Sequence, residues 1–278
     1  MVRFDSIDNL VSVPQRTHTY GTRDEILNHY ALPFGISYTE NPTSKMIDDE
    51  YEKLPVHDRD IYVPQPLRHE FSTSGSRSGR VIYVIDNAVK VEFEMSRMSK
   101  AAILAGRSHG CFKLCKGERT IIPPGMEVVI HTPEQSRFLD IPISRYELQN
   151  GSHMEKNQYL KATYMESLRE PSMTNIDARR SIIDVTERVK VFSIADAEGL
   201  KLGNHFHRKM KEWYFLVSGS QEWILDSRKE RRRHKLIPKE MITVPRHVAH
   251  VVMPAPQTEF IGIIDRNFDA GDLHKYEF

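Results

Sequence analysis

The chain has 278 residues, room for one large domain or two small ones, and 39% of them are hydrophobic, enough for a buried core. With 39 basic and 38 acidic residues the net charge is +1, so bulk charge gives no reason to expect nucleic acid or a membrane surface as a partner. No apolar run approaches bilayer-spanning length and the first residues lack the apolar core of a secretory signal, so a cytoplasmic protein is expected.

Residues 1–60 carry no interpretable motif and read as an N-terminal extension, with 23–30 a candidate short helix. Pro64, Pro66 and the Ser/Gly run 72–79 mark a loop leading into a first β-domain over 61–150. There, short apolar or alternating runs predict strands at 81–85, 89–95, 101–104, 120–122, 128–130 and 138–141. Cys111 and Cys115 are the only cysteines, too few for a disulfide framework, and read as reduced thiols. A linker with a helix at 155–168 spans 151–180. It opens on Gly151-Ser-His153-Met154, the sequence of a tag-removal scar, so His153 is not counted as a ligand. A second β-domain over 181–278 has strands at 189–194, 213–217, 222–225, 241–244, 250–252 and 260–264. Many short, evenly spaced strands indicate an all-β sandwich or jelly roll.

The two β-domains repeat one another. Residues 122–141 align without a gap on 244–263, placing Pro123 on Pro245, Val129 on Val251, Gln135 on Gln257 and Phe138 on Phe260. Upstream, Glu92-Phe-Glu94 falls on His205-Phe-His207 and 102–106 on 215–219, which puts Glu92, Glu94, Ser99 and Val128 in the places of His205, His207, Glu212 and His250. On this alignment the first copy has no imidazole and is expected to be metal-free.

The second copy carries chemistry. In a strand alternate side chains share a face, so His205 and His207 point the same way, while neighbouring strands can bring up Glu212 and His250. Three imidazoles and a carboxylate suit a divalent first-row metal and, at six-coordination, leave two positions for water or substrate. Gly199, His205, His207, Glu212 and Gly219 resemble the first motif of the cupin family, Gly-x5-His-x-His-x3 or 4-Glu-x6-Gly. Pro245 and His250 are similar to its second, Pro-x-Gly-x2-His, but His247 and Lys239 stand where the family has glycine and Pro254 where it has asparagine. The resemblance implies a double-stranded β-helix, two copies in one chain (a bicupin) with a few short helices, and one divalent transition metal: iron, manganese, nickel, copper or zinc.

Cupin membership fixes fold better than function. The strand after Glu212, ending Val217-Ser218-Gly219, resembles the metal-bearing cupin of capsular-polysaccharide enzymes, and a metal confined to the C-terminal half resembles the keto-uronate isomerases. Both imply a metal-dependent isomerase or epimerase acting on a sugar or sugar-derived small molecule. An iron dioxygenase and a non-catalytic metal- or sugar-binding cupin remain as alternatives, and a homodimer is a compatible assembly. Strand parity places Tyr214 and Lys209 on the metal-facing side as candidate catalytic groups. Trp213 and Trp223 read as core, and the basic run 228–235 as a solvated hairpin loop whose alternative role is phosphate recognition.

Overall fold

The computed structural model describes residues 10–20, 26–41, 71–72, 79–95, 109–122, 126–132, 135–143, 173–227 and 229–278. They form antiparallel sheets with two short 3-10 turns and no α-helix among the described residues, so no helix is long and apolar enough to cross a membrane. The chain divides into two compact units, one of Gln15–Pro171 and one of Met1–Pro14 with Ser172–Phe278.

The second unit consists of two sheets. The seven-stranded sheet runs, in spatial order, Val11–Ser12, Met241–Val244, Glu212–Ser218, Thr258–Ile264, Val189–Ile194, Arg180–Thr186 and Met173–Ile176. The five-stranded sheet runs Arg231–Leu236, Gln221–Asp226, Ala249–Pro254, Leu202–His207 and Leu273–Lys275. Alternation along each strand gives one apolar face, and the two faces meet in a core of Leu216, Ile242, Val244 and Phe260 from the first sheet with Trp223, Leu225, Leu236 and Val252 from the second. Trp223 is fully buried, its indole N–H donating to Gln221 Oε1 at 3.0 Å, so it is core. Trp213, one residue out of phase, is half-buried under the Lys211 ammonium.

The other unit repeats this plan. Its six-stranded sheet is ordered Arg16–Tyr20, Ile26–Ala31, Ser37–Glu40, Arg137–Ile143, Gly79–Asp86, Arg119–Ile122, and its four-stranded sheet Phe71–Ser72, Met126–His131, Ala88–Met95, His109–Cys115. Three of these strands lie within 1–60 and Val11–Ser12 pairs with Met241–Ile242, so most of the described part of that stretch is strand. The helix expected at 23–30 is corrected: Ile26–Ala31 is a strand, because its partners on either side take up its backbone groups. The helix expected at 155–168, the strand at 101–104 and the Gly151–Met154 segment lie outside the described residues.

Register shows which residues correspond. Arg80 pairs with Ile122 and Pro142 as Glu212 pairs with Val244 and Ile264. Lys90 pairs with His131 and Lys113 as Glu222 pairs with Met253 and Lys235. The C-terminal half of the sequence alignment, 122–141 on 244–263, follows these pairings; the upstream half does not. Glu92 and Glu94 take the positions of Ile224 and Asp226, and the strand matching Glu212–Ser218 is Gly79–Asp86. Period-two strands look alike when slid past one another, so an ungapped match without a turn to pin it misassigns the register. Left-handed residues supply the pins. Gly117 (φ 80°) matches Lys239 (74°), Gln135 (61°) matches Gln257 (57°), and Asn87 (59°) matches Gly219 (84°).

Candidate metal centre

Two left-handed residues shape the strand that carries His205 and His207. Gly203 (φ 94°) and Asn204 (φ 57°) form a bulge in Leu202–His207, shifting its register so that His205 lies opposite His250. A side chain at Gly203 would put its Cβ 2.6 Å from the His250 carbonyl oxygen, so only glycine lets the two ligand strands approach this closely. His205 and His207 then emerge on one face, their ring centroids 4.7 Å apart, and the His250 ring stands 4.6 Å from that of His205. Glu212, first residue of its strand in the facing sheet, completes the set.

His205, Glu212 and His250 each present a ligand atom within 4.8 Å of the others. His207 joins through Glu212, its Nε2 3.7 Å from Oε1, while His250 Nε2 lies 3.4 Å from Oε2. His207, Glu212 and His250 are at most 5% exposed. His207 Nδ1 donates to the Asp272 carbonyl at 2.9 Å; a carbonyl can only accept, so the neutral ring carries its proton there and turns the Nε2 lone pair towards Glu212. His207 Nε2 and Glu212 Oε2 are buried with no hydrogen-bond partner. Two buried acceptors in one cluster, neither with a donor, are unfavourable unless a cation reaches them, so the donor set fits a divalent metal.

The electrostatics agree. Burial lowers the pKa of His205, against a hydrogen bond to the Gly203 backbone, and likewise that of His207, where the Glu212 charge opposes it. His250 is held well below the ordinary imidazole value by burial and by its two imidazole neighbours. Neutral imidazoles are what a metal requires. Burial raises Glu212, opposed by His207 and by the Tyr214 hydroxyl.

The second-motif turn keeps the geometry glycine would give. His247 (φ 65°) and Lys239 (φ 74°) occupy left-handed positions without being glycine, and the His247 N–H donates to the His207 carbonyl at 2.6 Å, tying this turn to the ligand strand.

Of the two candidate catalytic groups, Tyr214 is at the site: its hydroxyl donates to Glu212 Oε1 at 3.1 Å, and its ring lies 6.3 Å from that of His250. Burial, then the Glu212 carboxylate, pushes the phenol well above its ordinary value, so it holds its proton and acts as a donor. Lys209 is not brought in. The strand ends at His207, parity stops there, and the lysine side chain is 65% exposed, 3.6 Å from Asp269. The basic run is likewise corrected: Arg231–Leu236 is an edge strand, its arginines paired with acids, Arg231 to Asp226 at 2.8 Å, Arg233 to Glu222 at 3.4 Å and Arg232 to Glu230.

In the first copy, register puts Phe71, Arg80 and Val128 where His205, Glu212 and His250 stand. Arg80 makes a paired contact to Asp140, 2.6 and 2.5 Å, and Asp140 is fully buried at the position of Gly262. A cationic side chain with an internal counter-ion therefore stands at the position of Glu212. Arg80, Asp140, Asp272 and Gly203 had not been singled out from the sequence; only correct register would have exposed the first two.

No protein-family model matches the sequence, and no curated relative does. Solved structures do match by shape. A variant of Bacillus subtilis oxalate decarboxylase aligns at TM-score 0.54 and 10% identity over 96% of this chain and 80% of that one. Lactobacillus farciminis oxalate decarboxylase in a formate complex aligns at 0.53 and 9% identity over 98% and 89%. A Bacillus subtilis oxalate decarboxylase studied for its Mn(II) centres aligns at 0.53 and 11% identity over 96% and 80%. At this identity the likeness establishes the fold alone, two antiparallel jelly-roll units in one chain.

Proposed function

On that fold, we propose that the C-terminal cupin is the active unit of a metal-dependent isomerase or epimerase acting on a sugar or sugar-derived substrate. The observation that carries the metal reading is the pair of buried, unpartnered acceptors His207 Nε2 and Glu212 Oε2 beside His205 and His250. A bound divalent metal would act as a Lewis acid towards neighbouring hydroxyl and carbonyl oxygens, favouring removal of the proton between them. His205, His207, Glu212 and His250 would hold it. Tyr214 keeps Glu212 oriented and its own proton in place. The aromatic wall of Phe192, Trp223 and Phe260 around Tyr214 excludes water from that side. Support for the sugar class is the likeness of the motif and its aromatic strand to sugar-modifying cupins.

The test is solvent exchange. Metal-loaded protein is incubated anaerobically in D2O with a panel of ketouronates, sugar phosphates and nucleotide-linked sugars, and proton NMR follows deuterium entering the carbon next to the carbonyl. Exchange that is lost in His250→Ala is expected. Turnover that instead consumes oxygen in proportion to substrate supports the dioxygenase, and metal uptake with no turnover of any substrate supports a binding role.

A further inference from the structure

Asp272 lies far from the ligands in sequence, in the short turn Ala270–Asp272, and is 3% exposed. Its main chain and side chain act on the same ligand. The carbonyl takes the His207 Nδ1 proton at 2.9 Å, which fixes both tautomer and ring plane. The carboxylate sits in the three successive amides that follow His207: Oδ1 accepts from Arg208 at 3.0 Å and Lys209 at 3.2 Å, and Oδ2 from Lys209 at 3.0 Å and Met210 at 3.1 Å. These amides leave the sheet at the end of the ligand strand, so without the carboxylate three backbone donors would be unsatisfied beside a metal ligand. The turn itself is held by the Asp269 side chain, which accepts from the Gly271 N–H at 2.9 Å.

The chain then continues as Leu273–Lys275, pairing with His205–His207, and the Tyr276 N–H donates to the Asn204 carbonyl at 2.9 Å, on the bulge that sets His205. The His274 ring stacks on Phe206 at 5.0 Å between centroids. Without this strand Leu202–His207 would be the edge of its sheet, where backbone register is weakly specified.

We infer that Asp272 is the positioning residue of the metal centre: through its carbonyl on His207 Nδ1 and its carboxylate on the 208–210 amides, it sets the direction of the His207 Nε2 lone pair. This rests on the metal-site reading of His205, His207, Glu212 and His250. Partners of this kind change metal affinity by about 10–100-fold when removed.

The probe is Co(II), titrated into metal-free full-length protein against a competing chelator, with the visible ligand-field bands recorded. Asp272→Ala is expected to bind Co(II) about 100-fold more weakly with shifted bands, the shift reporting a displaced nitrogen and not mere loss of stability. Asp272→Asn keeps the backbone carbonyl and one accepting oxygen but turns an amide towards the 208–210 donors; about a tenfold loss is expected. Glu222→Gln, on an exposed ion pair, is expected to match wild type. If Asp272→Ala does not fold, Asp272→Asn decides. A folded Asp272→Asn with wild-type affinity and bands overturns the inference alone, whereas wild type that takes up no Co(II) overturns the metal reading with it.

Discussion

Replacing Gly203 by alanine should damage stability and metal binding together. Gly203 has φ 94°, and its added Cβ would sit 2.6 Å from the His250 carbonyl oxygen and 3.1 Å from the His250 Cδ2. The left-handed backbone alone costs an L-residue about 1–2 kcal/mol. Forcing apart two paired strands adds overpacking of about 1–3 kcal/mol, because the obstructing atom is backbone and cannot rotate away. Gly199→Ala separates the two terms: its φ is 63°, but nothing lies within 4 Å of the new Cβ, so only the first term applies. Urea unfolding should give a loss of about 1 kcal/mol for Gly199→Ala and about 3 kcal/mol for Gly203→Ala. The metal content after dialysis should fall only in Gly203→Ala, because the residue it displaces, His250, belongs to the proposed metal site. Equal losses in the two variants, or a Gly203→Ala protein that keeps its metal, would refute the close-approach argument.

Three further outcomes are expected. His247→Gly should raise stability by about 1 kcal/mol in the same unfolding assay, since His247 is exposed and sits at φ 65° where glycine is unstrained; a destabilised variant would show that the imidazole makes a contact of value. Arg80→Met should cost about 3–5 kcal/mol by leaving the buried Asp140 carboxylate unpaired, and Arg80→Met with Asp140→Leu should recover most of it; an additive double variant contradicts the pairing. The stability of metal-free protein should fall as pH drops below about 6.5, the ordinary imidazole value. Burial lowers His205, His207 and His250, so through that window the unfolded chain binds more protons than the folded one. Glu212, raised above its ordinary 4.5, acts in the opposite sense: its contribution is present below 4.5 and lost as pH rises through its folded value. Urea midpoints at pH 7.5 and 5.5 check the sign, and a higher midpoint at 5.5 would reverse it.

The all-β class and most strands of the C-terminal unit were legible because alternation and turn residues are local signals. The gathering of His205, His207, Glu212 and His250 was legible because His-x-His on a strand, a carboxylate on the next and a later histidine need only period-two geometry. The register of the first copy was not. Glu92-Phe-Glu94 imitates His205-Phe-His207 in polarity, but hydrogen-bond partners place it on the hairpin strand matching Gln221–Asp226. Lys209 failed for a related reason, since parity has meaning only while the strand continues. Asp272 was hidden by distance: its role depends on a C-terminal strand returning beside His205–His207, which no local pattern announces.

The central claim is one divalent metal in the C-terminal jelly roll. Elemental analysis of protein purified from metal-replete cells, wild type beside His250→Ala, tests it most directly. One equivalent of a single transition metal per chain in wild type, and at least a tenfold loss in a folded His250→Ala, is the expected result. Wild type without stoichiometric metal, or a His250→Ala protein that retains it, would contradict the account.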